Sequence, residues 1–359
     1  MSAIIAPNGS PLNTAIIGVD DLDLSLEFYR DLIGLSTEDP FDWSGKEFEE
    51  IWHLPQGSSA RGFFCKLRDC DVGRILLLDF KAHEKKLIRP KEISRAYGLF
   101  NLNFYTDDIQ SDTEKFSSKG YRIWSKPTYY EMSEGQGSPT EVIFDGPDNV
   151  AINLVELTDN NPSSKVGQMK IYTQKYGRTK TGLTPVVTSA HTTRNIDLAV
   201  EFHRKVLKSD VLIDEVLSSE AQNEFLQLPN TAKTAVKFMQ GDHMFGKVAL
   251  SQPLNYECHD MVPDGIAPNI GYIAQAYRVS NLDLSEQEIS NLKCSIYTKR
   301  RSADIPGLGK TDMLMVKNPG SGALQLIFQA EDGIRDSVAS RGLGDVYKRQ
   351  GISADRLLV

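Results

Sequence analysis

The stretch Thr14–Asp31, TAIIGVDDLDLSLEFYRD, returns without a gap as Thr188–Lys205, TSAHTTRNIDLAVEFHRK, at an offset of 188 − 14 = 174. Thr14/Thr188, Asp23/Asp197, Leu24/Leu198, Glu27/Glu201, Phe28/Phe202 and Arg30/Arg204 are identical pairs, and Leu54-Pro55 meets Leu228-Pro229 at the same offset, 228 − 54. A register held over that distance marks a duplicated unit, and internal repetition sets an architecture before any single residue does.

The repeated unit reads as strand, turn and helix. A β-rich run at Thr14–Val19 leads into Asp20-Asp21, and Leu22, Ser25, Leu26, Tyr29, Leu32 and Ile33 follow at helical spacing up to Gly34. Asp20 and Asp21 stand at the helix entrance, where carboxylates cap free N–H groups, so they read as caps. Further strands are expected at Phe48–Leu54, Gly62–Leu67 and Arg74–Phe80, separated by turn-forming clusters. A second βαβββ unit follows in each half. In the first half it runs from Asn101 through a helix at Ile109–Lys119 to strands at Tyr121–Trp124, Glu141–Phe144 and Asn149–Glu156. In the second it begins near Ala274 and ends on Ala323–Gln329, with Pro319 read against Pro147 at 319 − 147 = 172. The expected class is α+β: four βαβββ modules paired into two cup-shaped half-barrel domains. Residues 1–157 hold modules one and two, 158–182 form a polar, basic linker, and 183–330 hold modules three and four.

Two motifs carry a family resemblance. Val-Asp-Asp-Leu-x-x-Ser-x-x-Phe-Tyr-x-x-x-x-Gly-Leu at Val19–Leu35 and Phe-Asp-Gly-Pro-Asp-Asn-x-x-x-Asn-Leu at Phe144–Leu154 resemble the vicinal oxygen chelate superfamily. That group includes glyoxalase I, bleomycin- and fosfomycin-resistance proteins, methylmalonyl-CoA epimerases and extradiol dioxygenases. The resemblance spans residues 12–329. It is specific for fold and weak for reaction, because these proteins share the βαβββ cup while isomerising, eliminating, cleaving rings or only binding.

The resemblance also implies a divalent metal held by His, Gln or Glu from the first and last strands of paired modules, with open positions for substrate oxygens. Here the first-strand positions fall on Thr14, Asn101, Thr188 and Ala274, and the last-strand positions on Leu76, Asn153, Ala249 and Gln325. None is His, Asp or Glu, and among them only Gln325 is a type the family uses. The histidines (His53, His83, His191, His203, His243, His259) are scattered without HxH, HxxxH or HExxH spacing. His191 aligns with Ile17 and His203 with Tyr29, so both read as structural. The expectation is no metal and no cofactor.

Strand alternation puts residues two apart on one face. The first cup is expected to be lined by Thr14, Ile16, Leu76, Asn101, Asn103, Tyr105 and Asn153, and the second by Thr188, Thr192, Ala249, Arg278 and Gln325. Amides and hydroxyls orient a ligand but are poor bases, so acid–base candidates come from elsewhere. The segment Trp124, Tyr129, Tyr130, Glu131, with the glycine-rich loop Gly135–Ser138 and Glu141 beyond it, supplies aromatics and acids. Tyr105, Glu131 and Glu141 are the catalytic candidates. Thr14, Asn101, Asn103, Asn153, Trp124, Tyr129, Thr188, Thr192, Arg278 and Gln325 are the ligand-binding candidates, Arg278 pointing to an anionic group in the second domain. The open alternative is that the amides and hydroxyls satisfy one another inside filled barrels.

Composition fits this reading. The 359 residues are 40% hydrophobic and 25% charged with a net charge of −8, which argues against non-specific nucleic-acid binding. No apolar run reaches membrane-spanning length, the start lacks a basic, apolar leader, and the four cysteines form no CxxC, so a cytoplasmic protein is expected, monomeric or homodimeric. The Walker-like Gly307-Leu308-Gly309-Lys310-Thr311 fails because position 304 is Asp304. Residues 331–359 open with EDGIRDSVASRGLGDVYKRQ, which closely resembles a translated sequencing-adaptor read, and are expected to be a non-native tail. The expected function is metal-independent binding or conversion of a small organic molecule, as a binder or a cofactor-free isomerase or lyase. The alternative is a metal-dependent isomerase, lyase or extradiol-type dioxygenase with ligands at other positions.

Overall fold

The computed structural model describes residues 5–81 and 84–330; the expected tail at 331–359 lies outside the described residues. Short helices alternate with strands that gather into two curled nine-stranded sheets. The first sheet runs Ser295–Ile305, Gly309–Lys317, Leu324–Ala330, Gly271–Arg278, Thr14–Gly18, Arg74–Phe80, Ser59–Lys66, Ser36–Thr37, with Phe41–Ser44 also on Ser59–Lys66. The second runs Asp210–Leu217, Thr234–Gln240, Lys247–Pro253, Thr188–Thr192, Ala96–Thr106, Ala151–Leu157, Pro139–Asp145, Thr128–Tyr129, with His259–Asp260 also on Ala96–Thr106.

Each sheet therefore takes one module from each half of the chain. Modules one and four close cup one, and modules two and three close cup two. Thr14 stands opposite Ala276, and Thr188 opposite Asn103, both in antiparallel pairs. The expectation that modules one and two share a cup, and three and four the other, is corrected. A module is a half-cup whose first strand is an open edge. Four near-equivalent edges look alike in sequence, and which pair closes is decided in three dimensions.

Alternation then sorts the side chains. Along Thr14–Gly18, Ile16 packs into cup one while Ala15 and Ile17 join the layer beneath the helices. That layer is continuous, holding Phe28, Leu102, Phe116, Phe144 and Phe202. The helix starting at Leu22 is capped as expected: the Asp21 carboxylate accepts from the Asp23 and Leu24 N–H groups at 3.0 and 3.1 Å. Asp148, in the module-two turn at φ 56°, accepts from Ser25 Oγ at 2.5 Å and from the Asp20 N–H at 2.9 Å, which ties the two modules of the first half together.

Three local expectations change, the first being that Tyr121–Trp124 is not a strand and makes only an isolated bridge from Ile123 to Phe144. Phe48–Leu54 is not a strand: Lys46–Trp52 is a helix, because Phe48, Ile51 and Trp52 fall at i, i+3, i+4 and make one apolar face. The expected linker holds a helix, Lys165–Thr173, capped by Ser164 and packed through Val166 and Met169 onto Tyr105, Val155 and Leu157.

Between the sheets lies a buried polar seam. The Gln275 carbonyl oxygen accepts from Tyr277 Oη at 2.7 Å, from Gln325 Nε2 at 3.2 Å and from His191 Nε2, while Gln275 Nε2 donates to Ser189 Oγ at 2.8 Å. His191 and His203 are structural, as expected. Burial lowers the His191 pKa to about 4, so the ring stays neutral.

Candidate functional site

The two cups differ in what fills them. Cup one is lined by Ile16, Leu76, Leu78, Phe80, Ala274, Ala276, Leu324, Leu326 and Phe328, and the helix Lys46–Trp52 presses Phe48, Ile51 and Trp52 into it. Thr298 Oγ1 and Tyr297 Oη hold that helix by donating to the Ile51 and Trp52 carbonyls at 2.7 and 3.2 Å. This is a packed core. Thr14 sits at its end, with its hydroxyl donating to Asn13 Oδ1 at 2.8 Å. Arg278 is half-buried on the same face, at the end of its strand, with no hydrogen bond or ion pair among the described residues. It does not stand beside Thr188 and Thr192 as expected, because those line the other cup.

Gln325 is corrected as well. It faces away from the cup, into the polar seam, and Leu326 holds the lining position opposite Ala276. The misreading came from aligning the prolines. Register gives 276 − 103 = 173 and 326 − 153 = 173, so the two turns match with Pro319 one place earlier than Pro147.

Cup two is polar. Asn153, Asn103, Thr188 and Lys247 stand in register on four neighbouring strands, with Asn101 one step along. All are buried, and Asn101, Asn103 and Asn153 each leave the amide oxygen without a hydrogen-bond partner. Among the described residues the side chains of Asn101 and Asn103 make no hydrogen bond at all. Beside them, Glu141 Oε1 accepts from Tyr130 Oη at 2.8 Å and Oε2 from Asn153 Nδ2 at 2.5 Å. Burial pushes the Glu141 carboxyl above its ordinary range, and the bonds from Asn153 and Tyr130 hold it partly back. Ala151, Ala190, Ala249, Phe100, Trp124, Ile143 and Phe225 make the apolar walls.

The cup is covered by the helix Glu220–Phe225, the repeat counterpart of Lys46–Trp52. Phe225 stacks on Tyr130 with ring centroids 5.7 Å apart, and Gln227 Nε2 donates to the Trp124 carbonyl at 3.1 Å. At one end of the cup Tyr105 donates to Met169 Sδ at 3.2 Å, and Lys247 Nζ donates to the Met244 carbonyl close to the Tyr105 ring. Among the described residues Lys247 has no carboxylate within ion-pair distance, and burial lowers its pKa to about 7.

Of the catalytic candidates, the structure brings only Glu141 to the amides. Tyr105 lines the cup, but burial holds its hydroxyl protonated and its partner is a thioether. Glu131 and Tyr129 are exposed, their only mutual contact a hydrogen bond of 3.3 Å, because a two-residue strand turns them outward. Trp124 is a wall, its Nε1 donating to Asp145 Oδ1 at 3.1 Å. Thr188 and Thr192 do face this cup. Lys247 was missed, as was Arg95, which donates to Ser251 Oγ and lies over Phe100, and Tyr130 was named in the aromatic segment but not among the candidates; Lys247 precedes Ala249 by two on one strand, so alternation from Ala249 would have found it.

A divalent transition metal does not fit these residues. The family positions carry Thr14, Leu76, Ala274 and, on the observed register, Leu326 in cup one, and Asn101, Asn153, Thr188 and Ala249 in cup two. Amide and hydroxyl oxygens are weak ligands for such ions, and no cluster of His, Cys, Asp or Glu fit to hold one is present among the described residues.

Comparison with known proteins agrees on the fold. A 163-residue match, 25% identical, links 44% of the chain to lactoylglutathione lyase from Schizosaccharomyces pombe and spans about half, 51%, of that protein. Glyoxalase I from Zea mays superposes with a TM-score of 0.57 at 14% identity, covering 89% of this chain and 92% of that one. A Bacillus subtilis structure described as a dioxygenase gives 0.52 at 11% identity, covering 92% and 87%. The Glyoxalase/Bleomycin resistance protein/Dioxygenase superfamily model matches residues 12–154, so the chain carries a domain of that superfamily.

Proposed function

We propose that cup two binds a small polar organic molecule and that Glu141, positioned by Tyr130 and Asn153, exchanges a proton with it without a divalent metal. The observation that carries this is the pair of buried, unbonded side chains Asn101 and Asn103 beside the open oxygen of Asn153. A packed core seldom leaves whole amide side chains without a hydrogen bond, since each unsatisfied group costs about 1–3 kcal/mol. A ligand with both donors and acceptors supplies the missing bonds. Glu141, with its raised pKa, is suited to remove a proton next to a carbonyl, and the amide N–H groups of Asn101 and Asn103 are placed to donate to the oxygen that gains charge. That is isomerase or lyase chemistry on a small molecule.

The test is native mass spectrometry of freshly purified protein for a retained ligand, followed by variants. Asn101→Leu with Asn103→Leu is expected to abolish ligand retention while leaving the melting temperature level or higher. Glu141→Gln is expected to keep binding and lower turnover by about 10²–10⁴-fold. Ligand retention unchanged in the double Leu variant refutes the site; turnover unchanged in Glu141→Gln leaves a binder rather than an enzyme.

A lactoylglutathione-lyase activity is the second reading, favoured by the fission-yeast match. It requires a bound divalent ion in that cup. Stoichiometric metal in the purified protein, with activity lost to chelator, would establish it.

A further inference from the structure

We infer that the ligand of cup two carries an anionic oxygen group, held by Arg95 beside Ser251 and Phe100. The inference rests on cup two being a ligand site. Among the described arginines that are not exposed, Arg95 and Arg278 alone have no carboxylate within 4 Å. Arg89 shows the contrast, with Asp145 Oδ1 at 2.5 Å and three further acceptors. Arg95 has five N–H donors and spends one, from Nη2 to Ser251 Oγ at 3.2 Å. Its Nε is buried and unpartnered.

The surroundings are built for one more acceptor. The guanidinium carbon lies over the Phe100 ring, 4.4 Å from its centroid. Ser251 Oγ already donates to the His191 carbonyl at 3.0 Å, so it serves Arg95 only by accepting. Thr192, in register with Ser251 and fully buried, has a hydroxyl with no partner. Two buried donors are thus unspent: Arg95 Nε, whose guanidinium lies over Phe100, and Thr192 Oγ1, in register with the Ser251 that Arg95 bonds. An anionic oxygen group uses both. From the Thr192 level to the Asn103 level, opposite Thr188, is 192 − 188 = 4 residues or about 13 Å of strand, a length matched by a small extended organic acid.

The probes are 3-phenylpropionate, phenyl phosphate and neutral 3-phenylpropanamide, read by titration of the ¹⁵N indole resonance of Trp124, assigned with Trp124→Phe. At least one anion is expected to bind tenfold or more tightly than the amide. Arg95→Gln should erase that preference and leave amide binding in place, and Arg95→Lys should restore part of it. Preference for 3-phenylpropionate identifies a carboxylate, preference for phenyl phosphate a phosphate. Equal binding of amide and acids, or a preference that survives Arg95→Gln, overturns the anion inference while leaving cup two a ligand site. If no probe shifts Trp124 and no ligand is retained natively, the site reading fails and the anchor with it.

Discussion

The two cups are built from the same repeat and filled in opposite ways. At matched positions cup one has Ile16 where cup two has Ala190 (190 − 16 = 174), Ala274 and Ala276 where it has Asn101 and Asn103 (274 − 101 = 173), and Leu326 where it has Asn153. The covering helices diverge likewise: Phe48, Ile51 and Trp52 face Gln222, Phe225 and Leu226 at an offset of 174. One copy gave its volume to large apolar side chains and became core. The other has alanines and aromatics for walls and holds amides whose oxygens are unpaired. Duplication thus left one cup filled by apolar side chains and one lined by polar ones.

The contrast breaks most sharply at the plug. Trp52→Ala is expected to cost about 3–5 kcal/mol in urea unfolding, whereas its counterpart Leu226→Ala should cost about 2 kcal/mol, because the cluster around Leu226 is smaller and includes Ala151, Ala190 and Ala249. Equal costs would mean both cups are cores. A reciprocal exchange sharpens the point. Ala276→Asn places an unpaired amide in cup one and should destabilise by about 2–3 kcal/mol, while Asn103→Ala should change stability by less than about 1 kcal/mol.

The third test concerns Lys247, whose counterpart in cup one, Arg74, has an ion-pair partner in Asp71 at 3.6 Å. Its folded pKa of about 7 lies below the ordinary 10.5, so between those values the unfolded chain holds the extra proton. The destabilisation is fully present below pH 7, and stability rises with pH from about 7 towards 10.5. Lys247→Met should flatten that slope and stabilise at neutral pH, by at most about 4 kcal/mol. A slope that survives the substitution assigns the pH dependence to another group.

Much of this was legible in the sequence. The repeat gave the βαβββ units, and alternation put Asn101, Asn103 and Asn153 on one buried face because period-two patterning survives any choice of partner strand. Three things were hidden for physical reasons. Module pairing is a contact between edges some 260 residues apart, as Thr14 and Ala276 are, and no local pattern encodes it. Phe48–Trp52 is rich in aromatics, which favour strands, and only its spacing of three and four betrays the helix. Glu131 lies ten residues from Glu141 on the same hairpin, yet a single turn of chain direction exposes one and buries the other.

The crossed pairing has a consequence for how the molecule is made. The inner edge of Thr14–Gly18 waits for Gly271–Arg278, so a ribosome must deliver most of the chain before cup one can close. Cup two, joining Ala96–Thr106 to Thr188–Thr192 and Lys247–Pro253, is complete earlier in synthesis. The order of translation therefore nests one closure inside the other, and neither gene half is a self-sufficient folding unit: each holds half of two sheets and presents bare strand edges until the other arrives.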